Sequence, residues 1–213
     1  MKTALITVGS TREYIDPVRY ITNESSGQQG MALIKSLIKN NFKVICLYGY
    51  LQVNPIVSKK ISYIFTPNAE RMLKAAKKNK NVDLAIFNAA VADYRVENYQ
   101  KQKIKRNKNL TLKLKNNPDI LKTISNISSG PQITVGFAYE TNDVKANALK
   151  KLKKKNCDYL VLNYPISKNN IFNNKYNNGG VFNKKGHYHE IGNVTKTSFA
   201  NQVLRHILKA ENE

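Results

Sequence analysis

Between Gly9 and Gly30 the chain reads GSTREYIDPVRYITNESSGQQG, a single connection that gathers glycines, hydroxyls, two arginines and an asparagine. At Gly9-Ser10-Thr11 and again at Ser25-Ser26-Gly27, small residues let backbone N–H groups approach a phosphate. A helix starting just after them adds partial positive charge. Arg12 and Arg19 carry planar guanidinium groups that can fork onto phosphate or carboxylate oxygens. Asn23, ahead of the Ser-Ser-Gly turn, is of a type that caps helices well. The chemistry suggested is recognition of a phosphate-bearing ligand. An ordinary connection of this length is uncommon, and this one holds too much Tyr, Ile, Val and Pro for a disordered segment.

The flanking elements place this segment where a parallel α/β sheet presents ligands, at the carboxyl end of a strand. Ala4–Val8 is an apolar run that predicts a buried strand, and Met31–Ile38 predicts a helix. Further strands are expected at Phe42–Leu47, Ile61–Phe65, Val82–Phe87, Ile133–Phe137 and Tyr159–Leu162. Helices are expected after Thr66-Pro67-Asn68, with Pro67 in the first turn and Met72, Ala75 and Ala76 on the apolar side, after Asn117-Pro118, and over Asp143–Lys155 and Thr197–Lys209. Leu110–Leu114 alternates as a strand, and Val181-Phe182 with Tyr188–Ile191 reads as a terminal β-hairpin around Lys184-Lys185-Gly186. Strands alternating with helices predict an α/β fold with a mostly parallel, doubly wound sheet. Glu97–Asn109, ENYQKQKIKRNKN, is polar and cationic and reads as a mobile flap within one domain spanning 1–213.

The formal net charge of +21 over 213 residues draws anions, whether nucleic acid, acidic membrane or phosphorylated metabolites. A nucleic-acid module is argued against by the lack of any motif, since the flap offers only Tyr99 as a stacking platform. A dinucleotide-dependent oxidoreductase is argued against by the missing GxGxxG after the first strand and by Leu47-Tyr48-Gly49, which puts no acid at the end of the second. Cys46 and Cys157 sit in apolar surroundings without CxxC spacing and read as small buried hydrophobes in a reducing, cytoplasmic setting. No run has the length of a membrane helix, and the apolar N-terminal stretch is too short for a signal peptide. His187, His189 and Glu190 offer too few ligands for a metal site.

The Gly9–Gly30 segment resembles the opening motif of phosphopantothenoylcysteine synthetase, also called phosphopantothenate–cysteine ligase. The likeness is densest over Thr11-Arg12-Glu13, Ile15–Ile21, Asn23, Ser25-Ser26-Gly27 and Gly30. Ala89–Arg95, Lys103–Arg106, Asn117–Leu121 and Val135–Thr141 then follow in family order. The resemblance runs from about Ile6 to Asn163 and thins over the tail. It implies a three-layer Rossmann-like or ribokinase-like sheet. It also implies a ligase that joins phosphopantothenate to L-cysteine through an acyl cytidylate, with CTP as co-substrate and Mg²⁺. A cytoplasmic homodimer is implied, with neither nucleic acid nor membrane as partner. Because the chain begins at the synthetase motif, it resembles a stand-alone form without flavin.

The same resemblance implies roles for individual residues. Asn23 would face the activated acyl group, and Lys103 would sit over the nucleotide phosphates once the flap closes. Phe87, Asn88, Ala89 and Asp93 would form part of the nucleotide cleft, continued by Pro118, Asp119, Ile120, Leu121 and Phe137. Lys151 and Lys155 would meet the phosphates. Arg19 and Ala90 would hold the acid substrate, and Gly9, Ser10, Thr11, Ser25, Ser26 and Gly27 would form the phosphate loop. No residue is assigned to a metal. Two departures stand out: Gln28 and Gln29 occupy a place that is usually basic, and Tyr139 stands where alanine is usual.

Overall fold

The structure, a computed structural model, describes residues 1–106, 109–165 and 175–210. The tip of the expected flap, at 107–108, lies outside the described residues.

The first strand explains the layering. In β1 (Thr3–Val8), Ala4, Ile6 and Val8 pack into one apolar cluster while Leu5 packs into another, so both faces of the strand are covered. A strand buried on both sides has no polar alternation, which is why the sequence reads as a continuous apolar run. The chain leaves β1 through a short hairpin of β2 (Arg12–Tyr14) and β3 (Tyr20–Thr22), then enters α1 (Gln28–Lys39). β4 (Lys43–Tyr48) and β5 (Ile61–Phe65) extend the sheet outward, parallel to β1. After α2 (Ala69–Lys78), β6 (Leu84–Phe87) returns to the other side of β1. β7 (Tyr94–Val96) and β8 (Leu114–Asn116) form a small antiparallel pair of their own.

Beyond α3 (Ile120–Ser125), β9 (Ile133–Tyr139) pairs with β6. α4 (Val144–Lys155) leads to β10 (Tyr159–Asn163), and β11 (Tyr176–Asn183) and β12 (Tyr188–Thr195) add an antiparallel edge before α5 (Lys196–Ala210). The eight-stranded order is β12-β11-β10-β9-β6-β1-β4-β5. Leu33 and Leu37 of α1 pack with Phe199 and Val203 of α5 on one face. Met72, Ala76, Ile120 and Ile124 cover the other, where Ala148 and Leu152 extend the layer. This is the three-layer α/β sheet with a C-terminal hairpin that the sequence predicts.

Several boundaries differ from the sequence reading. The helix expected from Pro67 begins at Ala69, capped by Asn68 Oδ1, which accepts from Arg71 N at 2.9 Å. The helix expected from Pro118 begins at Ile120, capped by Asp119 Oδ1 accepting from Lys122 N at 3.0 Å. Each proline precedes the cap, where its fixed φ suits the extended entry rather than the first turn. Leu110 and Leu114 are both exposed, and pairing with β7 begins only at Leu114 opposite Val96, so the 110–114 alternation does not mark a strand. The terminal hairpin is longer than expected. His189 in it is exposed and stacks on His206 of α5, with centroids 4.5 Å apart. Cys46 and Cys157 are buried free thiols, pushed by burial up to about 12 and about 11. Among the described residues, no helix is long and apolar enough to cross a membrane.

Candidate active site

The strand order reverses between β1 and β6, and the loops leaving these two strands lie side by side. Ser10 bridges both Tyr50 and Ala90. Such a reversal opens a crevice beyond the carboxyl ends of the strands. Two neighbouring clefts occupy this end of the sheet, of about 570 Å³ and about 650 Å³. Ala89, Val91, Asp93 and Phe137 line both.

The first cleft is floored by the Ser25-Ser26-Gly27 turn and walled by Asn23, Asn88 and Ala90. Gly27 is the N-cap of α1, at φ +81°. The left-handed turn calls for glycine, while a Cβ there would only have to displace the tip of the Leu51 side chain. Ser26 Oγ accepts from Gln28 N at 3.4 Å. Asn23 does not cap this helix. Its Nδ2 donates to the carbonyl oxygen of Val91 at 3.0 Å, and the side chain is exposed on the cleft wall.

The second cleft collects Phe87, the Pro118–Leu121 turn and the lysines of α4. Lys151 pairs with Glu140 at 2.6 Å, and Lys155 forms an ion pair with Asp119. Lys154, which the sequence reading passed over, lines the same wall. Three ammonium groups from one helix face line this wall, two of them paired with carboxylates, so an anion would have to compete with Glu140 and Asp119 for Lys151 and Lys155. Asp93 is exposed at the junction of the two clefts, and its carbonyl accepts from Asn117 N at 2.8 Å.

Other expected site residues are absent from both walls. Gly9, Ser10 and Thr11 were expected to cradle phosphate, yet their surroundings are structural. Ser10 N donates to Tyr50 O at 3.1 Å and Thr11 N to Ala90 O at 3.3 Å. Thr11 is fully buried, and its Oγ1 accepts from Ala92 N at 3.0 Å. The Ser10 amide thus ties the β1 loop to the loop after β4, and the Thr11 amide ties it to the loop after β6. Arg19 pairs with Asp16 at 3.1 Å and donates to Ile104 O at 3.2 Å. Lys103, next to Ile104, is exposed. Burial favours the neutral form of Asp16, but backbone N–H groups of Val18, Ile104 and Arg19 and the Arg19 guanidinium outweigh it and hold the carboxyl below its usual range. Arg12 is sandwiched between Tyr20 and Tyr50, at 4.2 and 3.7 Å from the ring centroids.

Residues 1–210 match the DNA/pantothenate metabolism flavoprotein C-terminal domain. The chain belongs to this family. It is 37% identical over 209 residues to the coenzyme A biosynthesis bifunctional protein CoaBC of Haemophilus influenzae, covering 96% of this chain and 50% of that protein. It therefore spans about half the length of the curated relatives it matches. A crystal structure of the C-terminal domain of a CoaBC superposes with a TM-score of 0.81 at 32% identity, covering 100% of this chain and 98% of the other. The fold is also shared, at 18% identity and a TM-score of 0.76 over 99% and 86% of the two chains, with a Cab2 point mutant in complex with phosphopantothenate-cysteine.

Among the described residues no group of three or more His, Cys, Asp or Glu side chains could hold a metal ion. For a cation carried by a phosphorylated ligand, Asp93 is the carboxylate that lines both clefts. Sequence reading missed Lys154 because lysine is abundant all along α4. It noted Gln29 only as a departure from the usual basic residue, and it missed Asn163, Asn177 and Lys196 of the first cleft because they come from elements distant in the chain.

Proposed function

We propose that this chain is a phosphopantothenate–cysteine ligase acting through an acyl cytidylate. One observation carries the reading. The cationic cleft fit for a nucleotide and the cleft bearing Asn23 share Ala89, Val91, Asp93 and Phe137, so a nucleotide phosphate and an acyl group can meet on one surface. Family membership supports the same reading.

In the first half-reaction a carboxylate oxygen of phosphopantothenate attacks the α-phosphorus of CTP, and pyrophosphate leaves. Lys151, Lys154 and Lys155 bind the nucleotide against Pro118–Leu121. Lys151 exchanges Glu140 and Lys155 exchanges Asp119 for the ligand. Lys103 reaches the phosphates when the 97–109 flap closes. Asp93 and the nucleotide phosphates would hold a Mg²⁺ ion, whose chemistry there would be neutralisation of the triphosphate charge. In the second half-reaction the cysteine amine attacks the acyl carbon, loses a proton, and CMP departs with the carboxylate oxygen. The Asn23 amide donates to the carbonyl oxygen as it gains charge. Val18 and Tyr20 of the β2–β3 hairpin and Phe65 at the end of β5 are exposed apolar residues that suit a homodimer contact.

The test is product analysis after incubating the chain with phosphopantothenate, L-cysteine, Mg²⁺ and each nucleoside triphosphate in turn. Phosphopantothenoylcysteine, CMP and pyrophosphate should form in equal amounts, fastest with CTP. Equal turnover with ATP would remove the cytosine preference, and no product with any nucleotide would remove the ligase.

A further inference from the structure

The first cleft contains a polar cluster that the chemistry above leaves unused. Gln29 in the first turn of α1, Asn163 at the end of β10, Asn177 on β11 and Lys196 at the start of α5 all line it. Gln29, Asn177 and Lys196 are only 9%, 2% and 8% exposed. Asn177 Nδ2 donates to Gln29 Oε1 at 2.8 Å. That leaves Gln29 Nε2, Asn177 Oδ1 and Asn163 Oδ1 buried without a hydrogen-bond partner. Turning both amides of the Gln29–Asn177 pair end for end would again leave one donor and one acceptor unmet. Unmet buried polar atoms are costly and uncommon, so three of them on one cleft point to a polar ligand.

The charge of that ligand follows from Lys196. It is the one cation lining the first cleft among the described residues, since Gln28 and Gln29 give the start of α1 no charge, and it faces a lining whose carboxylates are Glu24 and Asp93. Its Nζ donates to Tyr176 O at 3.4 Å, and burial pulls the ammonium down to about 8, so a bound anion would hold it charged.

We propose that Lys196, Gln29 and Asn177 form a phosphate subsite at the inner end of this cleft. Lys196 and the Gln29 amide donate to phosphate oxygens, and Asn177 Oδ1 accepts from a phosphate hydroxyl or a metal-bound water. The inference rests on the ligase reading for its two candidate sources, the triphosphate tail of the nucleotide and the phosphomonoester of phosphopantothenate. The subsite itself is independent of turnover.

Calorimetric titration of the full chain separates these cases, with Mg²⁺-pyrophosphate and phosphopantothenate as separate probes. Wild type should bind at least one. Lys196→Met should weaken that ligand by about tenfold or more, as loss of a charge-assisted hydrogen bond does. Lys196→Arg should recover most of the affinity. Loss confined to pyrophosphate assigns the subsite to the triphosphate tail, and loss confined to phosphopantothenate assigns it to the acid. Should Lys196→Met fail to fold, Asn177→Asp, which keeps the size and adds an anion, must weaken the same ligand. Binding of neither probe by wild type, or unchanged binding in the variants, overturns the subsite. Phosphate binding that responds to these variants without product formation would instead fault the ligase reading alone.

Discussion

The side-chain amide of Asn23 donates to the carbonyl oxygen of Val91 at 3.0 Å, linking two motifs 68 residues apart. This contact fixes the amide at the wall of the first cleft, beside the Asn88–Ala90 loop. It also removes the capping role that residue type alone would suggest, because α1 is capped at Gly27. Asn23→Asp keeps the size but replaces a donor with an anion. Cysteine attack should slow about 100- to 1,000-fold, the usual effect of removing an oxyanion donor. Pyrophosphate should appear in a burst of one per site while acyl cytidylate accumulates. Stability should fall only modestly, by about 0.5–1.5 kcal/mol for the lost hydrogen bond to Val91, since the side chain is exposed. Near-normal product formation would remove Asn23 from the reaction.

Lys103→Gln should slow the first half-reaction and leave the fold intact, because the side chain is exposed and its segment is polar. Rapid-quench measurement of pyrophosphate release separates this step from the second. Normal release together with a large drop in melting temperature would make Lys103 a structural residue instead.

Thr11→Val probes the junction of the β1 and β6 loops. The substitution leaves the buried Ala92 N–H without its acceptor, at an expected cost of about 1–3 kcal/mol in urea unfolding. Unchanged stability would show that the hydroxyl does not hold these loops together.

Asp16 predicts an acid-sensitive attachment of the 104 region to the β2–β3 turn. Its carboxylate accepts from Val18 N and Arg19 N, both at 2.8 Å, and from Ile104 N at 3.1 Å. Its folded-state pKa is lowered, so the contribution is complete above the ordinary carboxylate range and lost as pH falls through the lower folded value. Amide exchange at Ile104, corrected for its intrinsic rate, should quicken once pH drops below about 4, and Asp16→Asn should abolish that step. A wild-type profile without the step would contradict this.

Legibility in the sequence followed burial. Ala4–Val8 and Leu160–Leu162 are covered on both faces, so their apolar runs announce strands without ambiguity. The β2–β3 hairpin was hidden because it pairs only with itself, and its residues alternate between exposed tyrosines and the buried Glu13, whose Oε1 accepts from Ala69 N at 2.8 Å. The β7–β8 pair was hidden for a similar reason, since Lys115 and Asn116 carry no apolar signal. Ordered motifs picked out Asn23, Asp93, Lys151 and Lys155, which line the two clefts, and Gly9–Thr11, which line neither. A glycine-hydroxyl turn looks the same in sequence whether its amides face a phosphate or a neighbouring loop. Asn177 and Lys196 lie beyond the region of resemblance and reach the cleft only through the long antiparallel edge of the sheet.

The most direct test of the account uses phosphopantothenate labelled with oxygen-18 in its carboxylate. Mass spectrometry of the nucleotide product after turnover with unlabelled CTP and cysteine reads the fate of the label. Attack on the α-phosphorus predicts one labelled oxygen in each CMP and none in pyrophosphate. Label in inorganic phosphate with CDP as co-product would mean activation by γ-phosphoryl transfer, and would contradict the acyl cytidylate.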